Sequence, residues 1–372
     1  MSISALASAT EYLAQCDISA IRLHAARTLG SSRRFAPIGV LRDEAERDMF
    51  ARDVRELFLL PYAEALRTGR LRGEASGILG PVLSSNASVA LDALLARGCM
   101  RPVRAVEGVL DDVLQRAHPQ GFFYEPYQAE EAYAARSREE QICFVVVTSF
   151  CVRYQIAFGR GRDPRVRKAF DWLVRMQDPD GAWRPSRRRL CKNETESYQL
   201  TRAVAQAFAE LPATAAKRYA TARRKLANAW SDRVLVRCED PDAVLTELNI
   251  REDPLGPSHE GRGPDIPKAL RERILYFPLE DLWLALVVGG SPKHPHLAPW
   301  IQWLEENQLA DGSWRLGDPS LRERLLLSDP NGRLRAEALF LTDGWITLRA
   351  AQILRMARKR VRPRVAEAMQ AT

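Results

Sequence analysis

Apolar and polar positions alternate at helical spacing along nearly the whole chain, and no stretch carries the two-residue period of a half-buried strand. Between Val166 and Met176 the apolar residues fall on one side of a helix of about three turns. Near the start, Ile18, Ile21, Ala25 and Leu29 share a face, with Asp17 placed to cap that helix. A charged helix is expected from about Asp43 to Leu66, kinked or broken at Pro61. Residues 1–75 therefore read as a helical extension. A Gly-, Ser- and Pro-rich gap from Gly73 to Ala87 parts it from a main body at 88–360, and residues 361–372 form a basic tail. A second irregular stretch, Asn249 to Pro267, holds four prolines and three glycines. It is long for a connection and is expected to be a functional or disordered loop.

Two segments repeat closely. Trp172 to Trp183 and Trp303 to Trp314 both read W-L-x-x-x-Q-x-x-D-G-x-W. Upstream, Asp163-Pro164 stands opposite His294-Pro295, and each is expected to open a helix, because proline suits a first turn. A weaker copy sets Gly121 and Phe123 opposite Gly181 and Trp183, which gives repeats of roughly 60 residues, with a further eroded copy between the two strong ones. The glycine ends the helix in a left-handed conformation. The tryptophan beyond it can fold back on that helix while its indole N–H finds a partner. The glutamine is placed to bond backbone groups orphaned at a neighbouring helix end.

These segments resemble the QW motif of squalene-hopene and related terpenoid cyclases, and the likeness covers roughly Ser88 to Arg360. The N-terminal Asp17–Arg22 and the segment Trp345–Ala350 are more similar still to uncharacterised bacterial prenyltransferase/squalene oxidase repeat proteins. The resemblance implies an all-α fold of the α/α-toroid type, a ring of helical hairpins whose lumen is the natural pocket. Its motif residues Gln177, Trp183, Gln308 and Trp314 are implied to be structural. Thr201–Val204 and Thr347–Ala350 are expected to begin helices after the two turns.

Composition narrows the picture modestly. The net charge is +8, carried overwhelmingly by arginine, a bias that fits a GC-rich bacterial genome. Positive charge admits a diphosphate, an anionic membrane surface or nucleic acid without choosing among them. No run of apolar residues is long enough to span a bilayer, and Met1 to Gln15 lacks a basic leader, so a cytoplasmic protein is expected, compatible with peripheral membrane contact. The six cysteines have neither disulfide nor zinc-ligand spacing and read as free thiols. No DNA-binding motif is present.

Three clusters could carry chemistry. Leu279-Glu280-Asp281-Leu282-Trp283 opens a helix before the second strong segment. Class II cyclases place a D-x-D-D acid at a comparable helix start, and the resemblance makes Asp281 and Glu280 candidate catalytic acids with Trp283 beside the substrate. D-x-D-D itself is missing, adjacent residues point about 100° apart on a helix, and an acidic first turn also complements a helix dipole. Asp240 and Asp242 form a D-x-D that would hold magnesium if a diphosphate is bound. Arg184, Arg187, Arg188, Arg189 and Cys191 form a guanidinium-rich loop suited to phosphate. His294-Pro295-His296 lacks a third metal ligand. Two readings follow: a terpenoid-cyclase-like or prenyltransferase-like enzyme acting on an isoprenoid or other apolar substrate in the lumen, or a non-catalytic binding protein. The second would use its Arg patches, including Arg355, Arg358, Lys359, Arg360, Arg362 and Arg364.

Overall fold

The structure is a computed structural model. It describes residues 3–30, 35–47, 55, 59–68, 70, 87–96, 98, 103–184, 194–234, 276–314 and 342–370, with the side chains at some ends of these stretches left aside. In chain order the helices are α1 Ile3–Ala14, α2 Ser19–Leu29, α3 Ile38–Arg47, α4 Leu60–Arg67, α5 Ala87–Ala96, α6 Arg104–Gln115, α7 Ala129–Ala134, α8 Arg138–Gln141, α9 Val145–Ala157, α10 Pro164–Arg175, α11 Glu194–Ala209, α12 Ala213–Arg218, α13 Ala220–Val234, α14 Tyr276–Val288, α15 Ala298–Glu306 and α16 Asp343–Gln370. Among the described residues only an isolated bridge, Ala117 to Phe123, has β character. Among the described residues the chain is all-α, built from packed helices joined by short turns.

Two units can be described separately. One comprises Met1–Leu41 and Ser231–Thr372, the other Arg42–Trp230. In the first, α16 packs on α14, α15, α1 and α2; in the second, α9 packs on α10 and α11, and α4 on α6. Two kinds of helix occur, and composition tells them apart. α10 buries Val166, Ala169, Phe170, Trp172 and Leu173 and turns its charges outward, the spacing of a one-sided helix. α9 and α14 are apolar nearly all round and are enclosed by their neighbours.

The repeated turns share one backbone design. Asp178 N–H donates to Ala182 O and Gly181 N–H to Asp178 O at 2.8 and 2.9 Å; Leu309, Ser313 and Gly312 reproduce this at 3.0 and 2.9 Å. The weak copy does the same with His118, Phe122 and Gly121 at 2.7 and 2.8 Å. A threonine on a following helix then closes each turn. Thr148, Thr201 and Thr347 accept the N–H of Phe123, Trp183 and Trp314 at 3.0, 3.1 and 3.1 Å, and each hydroxyl lies within 3.4 Å of the same residue's carbonyl.

The tryptophans behave as their sequence suggests. Trp183 donates its indole N–H to Leu173 O at 2.9 Å and Trp314 to Leu304 O at 3.0 Å. Both acceptors lie among the last four carbonyls of their helices, which no intrahelical N–H can reach. Replacing Trp183 by Phe keeps the ring and removes the donor. We expect a loss of about 1–2 kcal/mol, read from the urea unfolding midpoint, because a buried carbonyl would be left without its partner.

The glutamines reach their neighbour differently from expectation. Gln177 donates to Gly181 O and to Ala222 O, both at 3.0 Å; Gln308 donates to Gly312 O at 2.9 Å and Ala5 O at 2.8 Å. Ala222 and Ala5 sit at the beginnings of α13 and α1, where carbonyls already take part in the helix. Each glutamine therefore ties its turn to the start of another helix rather than rescuing an orphan.

Several helix starts move. α2 begins at Ser19 with Ile18 at its cap and no side-chain cap bond, so Asp17 lies just outside it. α15 begins at Ala298 with Pro299 in its first turn, so His294-Pro295 precedes the helix. Pro61 stands in the first turn of α4, which follows directly on Leu59 in π-helical conformation, so the helix is irregular where the proline falls. Asp163 does cap α10, accepting from Arg165 N–H at 2.8 Å with Pro164 next. Thr201 and Thr347 lie inside α11 and α16, past their starts. Among the described residues Cys16, Cys143 and Cys151 are free thiols, and no helix is long and apolar enough to cross a membrane. The turn of the eroded copy, Asn249–Pro267 and residues 71–86 lie outside the described residues.

Candidate functional site

α14 reads YFPLEDLWLALVV, and Leu279, Leu282, Leu284, Ala285 and Leu286 are all 2% exposed or less. Pro278 falls in its first turn, where a missing N–H costs nothing. Glu280 and Asp281 therefore come in the second turn, too deep to serve as an acidic start for the helix dipole. The expected choice, with one of the two carboxyls inside and the other out, is also corrected: both are buried, because this helix is enclosed on all sides.

Glu280 is committed. Its Oε1 accepts the indole N–H of Trp345 at 3.1 Å and the Nε–H of Arg349, both from α16. The Arg349 guanidinium lies between two indoles, 4.0 Å from the centre of the Trp283 ring and 4.7 Å from that of Trp345. It also donates to Gln352 at 2.8 Å, which donates to Thr28 of α2 at 3.0 Å. Trp345 meets His24 edge-on at 5.9 Å. A cation between two aromatic faces with a carboxylate at its edge has its charge answered on three sides. Asp281, one residue on, is buried on the same helix.

The remaining predicted residues divide. Arg184 is held in its own turn, donating to Asp178 at 3.2 Å and Asp180 at 2.9 Å. Arg355 donates to Thr28 O. Arg187, Arg188, Arg189, Cys191, Asp240 and Asp242 lie outside the described residues, as do the side chains of Arg360, Arg362 and Arg364. His294 pairs with Asp232 at 3.0 Å, and its ring is 5.4 Å from that of His296. Among the described residues no three His, Cys, Asp or Glu side chains converge to hold a metal.

Two charged clusters in the second unit were not foreseen. Arg116 pairs with Glu125 at 3.0 Å and with Asp112, with Tyr62 close by. Burial pushes the Tyr62 hydroxyl up to about 12. Elsewhere Arg153 of α9 pairs with Asp92 of α5 at 2.7 Å and lies 3.8 Å from Glu210. One signal could have found the latter: Asp92 and Arg153 are each the only charged residue of an otherwise mostly apolar helix.

No protein-family model matches the chain, and no curated protein is similar to it. Solved structures similar to it include a protein from Actinoplanes, 15% identical with a TM-score of 0.41, over 95% of this chain and 99% of that one. Another is a variant of the type II terpene cyclase MstE from Scytonema in its apo form, 14% identical with a TM-score of 0.34, over 94% of this chain and 87% of that one.

Proposed function

We propose that the protein is a terpenoid-cyclase-like enzyme acting on an isoprenoid or similarly apolar substrate held beside the enclosed helix α14. The observation that carries this reading is a pair of adjacent buried carboxyls on α14. Glu280 is bound by Arg349 and Trp345, while Asp281 stays buried on a helix that is otherwise apolar. Protonation of an alkene needs a carboxyl enclosed with an apolar substrate and shielded from bulk water. Both carboxyls meet the enclosure requirement; Oε1 of Glu280 is engaged by Arg349 and Trp345, and Asp281 is taken as the acid. The sequence offers Glu-Asp where the cyclases have D-x-D-D, so the acid would work with a different neighbour. The basic-patch alternative is weakened where it can be followed, since Arg184 and Arg355 spend their donors on groups of their own unit.

The first experiment is native mass spectrometry of freshly purified protein, with extraction and identification of copurifying small molecules. Turnover of the recovered compound, or of a panel of linear isoprenoids, is then followed in deuterated water. Asp281→Asn is expected to lower turnover by about a hundredfold or more with the fold intact. Full turnover by that variant would remove Asp281 from the mechanism.

A further inference from the structure

The charge of the chain is not spread evenly. Residues 162–184, which hold α10 and its turn, contain six arginines and lysines against four aspartates. Residues 213–230, which hold α12 and most of α13, contain five and no acid. These two stretches, little more than a tenth of the chain, carry +7 of its net +8. Ten of the eleven cations are exposed, and Arg223 is half-buried. The stretches meet within the Arg42–Trp230 unit. Asp171 of α10 accepts from Arg218 and from the Tyr219 hydroxyl, both at 2.8 Å, and Gln177 donates to Ala222 O at 3.0 Å.

The four aspartates are already engaged: Asp163 with Arg165, Asp171 with Arg218, Asp178 and Asp180 with Arg184. The outward excess falls chiefly on Arg167, Lys168, Arg175, Lys217, Arg224 and Lys225. Neighbouring groups do not cancel it. Glu107 and Asp111 of α6 pair with Arg160, which leaves a single negative charge at that border. Around α8, Arg136 and Arg138 match Glu139 and Glu140, and Arg138 reaches Asp178 at 2.7 Å. Glu210, just before α12, lies 3.8 Å from Arg153 of α9. Asp232 and Arg233, next along α13, cancel in sum.

We propose that the outer face of α10, α12 and α13 is a docking surface for an anionic lipid bilayer. It uses other residues than the arginine runs at 187–189 and 358–364, and it stands independently of the role given to Asp281. The character of the face selects this partner. No large apolar side chain in either stretch is exposed, and Phe170, Trp172 and Tyr219 are buried. The face therefore has no ring on which an unpaired base could stack and no apolar anchor of the kind that centres a protein interface. α10 is seated on the core through Val166, Ala169, Phe170, Trp172 and Leu173 and is flanked by α13, so it does not project as a helix entering the groove of a duplex must. What remains is attraction by charge alone over a face two helices wide. A continuous negative surface answers it, and each lysine or arginine near such a surface strengthens binding roughly fivefold.

The test is sedimentation of the full-length protein with vesicles. Vesicles of phosphatidylcholine alone are compared with vesicles containing about one-third phosphatidylglycerol, in low salt and in about 0.5 M salt. Binding only to the anionic vesicles, and lost in high salt, is expected. The triple variant Arg167→Gln, Lys217→Gln, Arg224→Gln should bind them about a hundredfold more weakly, with its helical circular dichroism unchanged. A second triple variant, Arg42→Gln, Arg47→Gln, Arg70→Gln, removes the same charge from other exposed positions of the unit and should stay within severalfold of the parent. Equal losses in the two variants would mean that net charge alone acts, and would overturn the face. Binding to neutral vesicles, or binding that survives high salt, overturns it too, since either needs an apolar insertion that this surface lacks. Tighter binding to a DNA duplex than to the anionic vesicles, weakened in the first variant, gives the face to nucleic acid and removes the bilayer. Failure to sediment with either kind of vesicle also ends the proposal.

Discussion

Substituting Gly181 by alanine should destabilise the protein by about 3–5 kcal/mol, enough to leave much of it insoluble. Two effects add. Gly181 has φ +96°, a conformation that costs an L-residue about 1–2 kcal/mol. A Cβ there would also stand 2.2 Å from the carbonyl oxygen of Lys225 on α13, a backbone atom that no side-chain rotation can move aside. Gly312 repeats the case, with φ +87° and a Cβ 2.5 Å from the carbonyl of Ser8 on α1. Gly159 is the control: its φ is +88°, but a Cβ would meet nothing within 4 Å, so Gly159→Ala should cost only about 1 kcal/mol. Thermal or urea unfolding of the three variants separates the close approach from the dihedral. Equal losses at all three positions would show that the contact with the next helix contributes little.

That contrast also marks what could be read from the chain. The D-G-x-W turns were legible because their design is local: a glycine that must take positive φ, a tryptophan ten residues beyond the carbonyl it bonds, and a glutamine four before the glycine. Even the weak copy at Gly121 keeps the backbone pattern, although Ala117 stands where the glutamine should be and Phe123 has no donor. The partner of each turn was not legible. Gln308 and Gly312 dock on α1, more than 300 residues away, and no local pattern encodes which helix start will meet which turn. α1 and α2, read as part of an extension at 1–75, pack with α16 in the unit that contains the last turn.

The site was legible in part, for a related reason. Glu280 and Asp281 stood out as carboxyls within an apolar run, but Pro278 was the overlooked signal. A proline in a helical pattern marks a first turn, so the helix had to start earlier and carry both acids inward. The identity of Glu280's partners lay 65 and 69 residues on, in the segment around Trp345 that was read as part of a family likeness and as a helix start. Asp92 and Arg153 drew no attention because neither belongs to a motif. Their message is a single charge on an apolar helix, which becomes a pair only when α5 meets α9.

Removing Arg349 should be the second large loss. Arg349→Met keeps most of the side-chain volume between the Trp283 and Trp345 rings and deletes the charge. Glu280 is then left buried with the Trp345 indole as its remaining partner in this cluster, and an expected cost of about 3–5 kcal/mol follows from an unbalanced charge in a desolvated place. Glu280→Gln should cost less, since a neutral amide can still accept from Trp345. The double variant Glu280→Leu with Arg349→Met removes both charges together and should recover most of the stability lost by Arg349→Met alone, because well-packed apolar groups often replace a buried ion pair at little cost. A double-mutant cycle on urea unfolding measures that coupling. If the double variant is as unstable as the summed singles, the two side chains act independently and the cluster is ordinary packing. If it is stable but loses turnover that Glu280→Gln retains, the guanidinium between the two indoles does more than hold α14 to α16. It then positions Asp281, one residue from the carboxylate it binds, for the proton transfer proposed above.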